Sequence, residues 1–256
     1  MLNKFFYSFA FVIVALAVLC VGCSAQQTEQ QALDSLRQMT RDGKLPPDAA
    51  VAAIESRFAE KRTGALAKLL RARIRFENQD YTGAADILNS DVFAKQTKVA
   101  DYAHWLRGRA LQASRGHAEA MKEFAKVWAA KPDSLRTADA KVLWAESAIA
   151  SGSANRVPAE LADLIAGRNA RGLFAVARAY EAAGDQANAI KYYRRTYFFG
   201  AGTDEAKQAE AKLIALAQPL APQNAEEIAS RAEDLYAARN WTEADNQAVS
   251  RHFAKL

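Results

Sequence analysis

Three arginines each stand directly after a small residue: Arg73 after Ala72, Arg109 after Gly108 and Arg178 after Ala177. A guanidinium is always charged and presents a planar fork of donors, which suits a carboxylate gripped by two parallel hydrogen bonds. Trp105 and Phe174 lie four residues before Arg109 and Arg178. In a helix that is one turn away, so their rings can add stacking surface beside the charge. Arg73, Arg109, Arg178, Trp105 and Phe174 are therefore the candidate ligand-binding residues. The competing account has the arginines paired with acids on adjacent helices, or merely solvated. Other chemistry is sparse. His104, His117 and His252 share no i, i+4 spacing, and neither cysteine lies near them, so no metal site is expected. There is no phosphate-cradling glycine loop and no serine-nucleophile signature. Carboxylate pairs have the spacing of a solvated helix face, so no catalytic residue and no cofactor are expected.

The elements that must position these residues are helices. The chain has 57 alanines in 256 residues, against 12 glycines and 6 prolines. Alanine has the best helix propensity, and glycine and proline the worst. An all-α fold follows. The net charge is +5, and Lys4 is the only charged residue before Glu29, so the rest carries +4. That is too weak a basic balance to argue for nucleic acid. Both cysteines, Cys20 and Cys23, precede residue 24, so no disulfide ties the remainder together. Periodicity and breakers predict helices over 28–41, 47–60, 63–78, 82–90, 98–114, 117–130, 134–151, 157–166, 169–183, 185–199, 203–217, 223–238 and 241–254. Ser134 and Thr203 are expected N-caps. Gly152, Gly184, Gly200 and Gly202 mark C-terminal ends. Gln218-Pro219-Leu220-Ala221-Pro222-Gln223 is the longest linker candidate.

Residues 1–25 form a separate unit. Lys4 precedes an apolar stretch over 9–21, too short for a span of about 20 residues, and a polar run follows. Leu19-Cys20-Val21-Gly22-Cys23-Ser24 resembles a bacterial lipobox, with Cys20 where leucine is usual. The expectation is a signal peptide over 1–22 and lipidation of Cys23, giving two-signal membrane anchoring. Ser24 in the next position resembles outer-membrane lipoproteins facing the periplasm. The alternative is cleavage after Ala25 and a soluble periplasmic protein.

Thirteen short helices invite a search for repeats. One pattern places a small residue in a first helix, then a turn, an aromatic or His, an alanine and a bulky residue in a second. It fits Ala72, Tyr81, Ala84 and Leu88; Gly108, His117, Ala120 and Phe124; Ala177, Tyr180, Ala189 and Tyr193; and Ala232, Trp241 and Ala244. A degenerate copy carries Trp144, Gly152 and Val157. These copies resemble tetratricopeptide (TPR) repeats. The resemblance implies a helical-hairpin solenoid over 23–256, with the first helix of each pair lining a concave face. There Arg73, Arg109 and Arg178 would form a ladder for carboxylates, with Glu233 at the equivalent place in the last copy. A plain bundle without repeat order is the alternative. The cluster Tyr192, Tyr193, Tyr197, Phe198 and Phe199 is expected as core rather than a sugar platform. The basic run Lys61, Arg62, Lys68, Arg71, Arg73 and Arg75 has a solvated face as its default assignment.

A second resemblance covers 55–256. Thr63-Gly64-Ala65-Leu66-Ala67, Ala100-Asp101-Tyr102-Ala103, Gly184-Asp185-Gln186-Ala187, the aromatic-rich stretch 192–199 and the stretch 231–241 are similar to the N-terminal α-superhelical region of soluble lytic murein transglycosylases. In that family a lysozyme-like domain follows, with Glu-Ser and Gly-Leu-Met-Gln segments. Here the Glu-Ser pairs are Glu55-Ser56 and Glu146-Ser147, both in predicted helices, and no Met-Gln occurs. The resemblance implies a non-catalytic, lipid-anchored scaffold that binds peptidoglycan or a periplasmic protein partner. The alternatives are a fragment of an active transglycosylase and a repeat lipoprotein of β-barrel assembly.

Overall fold

The computed structural model describes residues 28–41 and 43–238. The expected signal peptide over 1–22, Cys23, Trp241, Ala244, His252 and the predicted helix 241–254 lie outside the described residues. Within them the protein is all α-helical, apart from one short 3₁₀ turn, and has no strand. The helices are α1 (Glu29–Thr40), α2 (Asp48–Arg57), α3 (Arg62–Glu77), α4 (Tyr81–Leu88), α5 (Val92–Gln96), α6 (Ala100–Ala113) and α7 (His117–Trp128). They continue as α8 (Thr137–Ala150), α9 (Val157–Glu160), α10 (Ala162–Ala166), α11 (Ala170–Ala182), α12 (Gln186–Phe199), α13 (Asp204–Ala215) and α14 (Ala225–Ala237). By packing, the chain divides into two compact units, Met1–Lys68 and Leu69–Leu256.

In the first unit, α1 starts with a complete capping box. The Thr28 hydroxyl accepts from Gln31 N, and the Gln31 side chain accepts from Thr28 N. Its buried apolar residues include Ala32, Leu36, Val51, Ile54, Phe58, Ala65 and Ala67.

In the second unit, packing runs in chain order: α4 on α6, α6 on α7, α7 on α8, α8 on α11, α11 on α12 and α12 on α13. Gly108 makes one of these approaches possible. A Cβ added to Gly108 on α6 would lie 2.6 Å from the Phe124 ring on α7, and Phe124 is fully buried. Ala72, Ala84, Ala120, Ala177 and Ala189 are all buried, as are Leu88 and Tyr193. Tyr193, Tyr197 and Phe198 sit in the core cluster that joins α11, α12 and α13, while Tyr192 and Phe199 are half-buried beside it.

Several boundaries differ from expectation. The helix predicted over 157–166 is broken at Leu161, whose backbone leaves helical geometry and whose side chain is fully buried. The five-residue α5 is too short to carry a period; it is held by buried Val92 and Phe93. Ser134 does not cap α8. Its hydroxyl donates to Asp101 Oδ2 on α6 (2.5 Å) and accepts from Arg136 N (3.1 Å), and α8 starts three residues later. Thr203 does cap α13, accepting from Ala206 N. Finally, α14 packs on α12. The linker that returns it is pinned by Arg194, which donates to Pro219 O (2.9 Å) and Ala221 O (2.8 Å) and grips both oxygens of Glu227 (2.9 and 2.6 Å).

Candidate functional site: an arginine–aromatic pocket

One face of α6 carries Tyr102, Trp105 and Arg109, three and four residues apart and hence stacked along the helix. Arg73, Phe76 and Glu77 of α3 and Arg136 at the start of α8 complete a pocket of about 180 Å³. Long-range hydrogen bonds fix the α6 and α8 walls. Ser134 ties the loop before α8 to Asp101, which holds Arg136 beside α6. Trp105 Nε1 donates to Asp139 Oδ2 (2.6 Å) on the first turn of α8. Asp139 is in turn held by Arg171 of α11 at 2.7 Å. The indole orientation is thus set from behind.

The guanidiniums lie on rings. Arg109 sits 4.9 Å from the Phe76 centroid and 4.8 Å from that of Trp105. Arg136 sits 4.7 Å from both Tyr102 and Trp105, and Tyr102 stacks on Trp105 at 5.6 Å. Ring faces attract the cations but leave their N–H groups without acceptors. Arg73 has an acid partner, Glu77, at 3.6 Å. Among the described residues neither Arg109 nor Arg136 has a carboxylate partner. The pocket is therefore net positive, with two donor forks open to an anion.

Three of the five residues singled out from the sequence, Arg73, Trp105 and Arg109, meet in this pocket. The other two are elsewhere. Arg178 is exposed on α11, where its charge helps to hold the Glu181 carboxylate ionised. Phe174 is buried, with its ring 5.7 Å from that of Tyr193, and has no face open to a ligand. Trp105 is half-buried. Arg136, Tyr102 and Phe76 were not foreseen. Tyr102 was legible as the residue one turn before Trp105; Arg136 arrives from a loop 31 positions further on, and no local spacing reports it.

A second cavity, of about 390 Å³, lies between α5, α6 and α7, lined by His104, Arg107 and Lys126 among others. All three converge on Glu123: His104 Nδ1 at 2.8 Å, Arg107 at 2.6 Å and Lys126 at 2.8 Å. Burial alone would raise this carboxyl. The hydrogen bonds from His104 and Lys126 and the charge of Arg107 override it and hold the pKa at about 2. An acid that never carries a proton near neutrality cannot donate one, so Glu123 is an internal counter-ion. Among the described residues no group of three or more His, Cys, Asp or Glu is placed to hold a metal ion. None of the described helices is long and apolar enough to cross a membrane.

Compared with known proteins, the chain matches no family model and no curated protein. The likeness to the transglycosylase superhelix rests on the segments quoted above alone.

Proposed function

We propose that the chain is a lipid-anchored, TPR-like binding or scaffold module at the periplasmic face of the outer membrane, which holds peptidoglycan without cutting it. The observation that carries this function is the pocket of Arg73, Arg109 and Arg136, where two guanidiniums are oriented by aromatic rings and not neutralised by acids. Such a site costs electrostatic repulsion in the folded chain and is repaid by an anionic ligand. The wall supplies carboxylates on its peptide stems. Solenoid order is supported by the chain-order packing of α4 to α13 and by the burial of the equivalent small residues Ala72, Gly108 and Ala177. The anchor is supported by the small-residue-cysteine end of the apolar N-terminal run. Among the buried carboxylates, Glu123 is fixed as an anion, which favours holding over general-acid cleavage.

Co-sedimentation with purified sacculi tests the proposal. The full chain should pellet with sacculi and release no anhydro-muropeptides, and Cys23→Ala should leave the membrane fraction. Failure to pellet, or release of anhydro-muropeptides by the purified chain, would overturn it.

A further inference from the structure

The geometry points to the pocket of Arg109, Arg136 and Trp105 as a site for the peptide stem of the wall, a short peptide end bearing two carboxylates, and not for its sugars. This assignment rests on the wall-binding function proposed above and deepens it. A saccharide site needs an aromatic face free for a pyranose ring. Here the Trp105 ring already carries Tyr102 at 5.6 Å, Arg109 at 4.8 Å and Arg136 at 4.7 Å. Phe76 is occupied by Arg109 in the same way. What remains open is donor capacity: two guanidiniums on one indole, neither with an acid partner among the described residues. Two forks held by a common ring match two carboxylates a few bonds apart on one ligand. The size agrees. A cavity of about 180 Å³ is below the ~300–1,000 Å³ of sites that swallow a drug-sized ligand, so it takes a peptide end and not a disaccharide. Asp139 acts through Trp105, and Arg171 through Asp139, so both are positioning residues.

Isothermal titration of the full-length chain tests this, with L-alanyl-γ-D-glutamyl-diaminopimelate as the probe. The controls are the same tripeptide with its carboxyls amidated, an N-acetylglucosamine tetramer and a protein-type peptide ending in aspartates. The free-acid tripeptide should bind. Amidation, or Arg136→Gln with unchanged circular dichroism, should weaken it about tenfold or more, the loss expected for a charged hydrogen bond. Arg136→Lys keeps the charge without the fork and should fall between, and Arg178→Gln should change nothing. Binding of the tetramer in place of the tripeptide, equal affinity for the amidated probe, or tighter binding of the aspartate peptide would overturn the assignment. A chain that pellets with sacculi yet ignores the tripeptide refutes this inference alone. A chain that does neither refutes the proposed function as well.

Discussion

At Glu123 two cations, Arg107 and Lys126, and the His104 ring converge on one carboxylate that is 5% exposed. Its pKa falls from 4.5 to about 2. The folded value is the lower one, so the carboxylate favours the fold fully above about pH 4.5, and that support fades as pH drops toward 2. The shift corresponds to roughly 3 kcal/mol. Urea melts between pH 2 and pH 7 should show the wild type losing stability across that window. Glu123→Gln should be destabilised at pH 7, with His104, Arg107 and Lys126 left facing a neutral amide, and should lack the pH-dependent component. Parallel profiles for the two proteins would contradict the ion cluster. None of this was visible in the sequence, where Glu123 has a Lys126 neighbour at helical spacing but its other partners lie 16 and 19 residues away. Gly108 is the opposite case. A small residue before a turn and a bulky residue 16 positions later already implied close helix approach, and the Phe124 ring fills the place of the missing Cβ.

For whole elements, legibility followed helical period. The long helices, built on alanine with buried residues three and four apart, were readable to within a few residues. Thr203 was readable as a cap because its side chain acts on its own next turn. Ser134 carries the same hydroxyl group, yet it is drawn to Asp101 by a contact 33 residues away. Five residues of α5 and the break at Leu161 are decided by burial and not by propensity. The proline linker was recognised, but its anchoring was not. Arg194 and Glu227 are each almost buried and form a two-pronged pair that also fixes the linker carbonyls. Removing one partner of such a pair leaves the other charge stranded, at a cost of about 3–5 kcal/mol. Glu227→Ala should therefore release α14 ahead of global unfolding. Hydrogen exchange should speed up over 225–237 while α6 and α7 stay protected; a uniform change across all helices would show that the pair is not a local pin.

Across the whole molecule, the all-α class was legible from composition alone, and Gly108 foretold the close approach of α6 and α7. The arginine–aromatic pocket was only half legible. Arg73, Trp105 and Arg109 lie on two helices with a shared pattern, whereas Arg136 enters from a loop and Arg178 belongs to a different part of the surface. A ladder extrapolated from a repeat assumes each copy keeps the same neighbours; the third copy instead sets Arg178 near Glu181 and buries Phe174 against Tyr193. In the proposed function this pocket holds the wall by charge. Exposed charge interactions are screened beyond about 10 Å at 0.1 M salt, so retention on sacculi measured across a salt series is the most direct test. The wild type should stay bound at low salt and elute steeply as salt rises, while the triple variant Arg73→Gln, Arg109→Gln and Arg136→Gln, still fully helical, should not be retained at any salt. Equal retention of the triple variant and the wild type across the series would contradict the account.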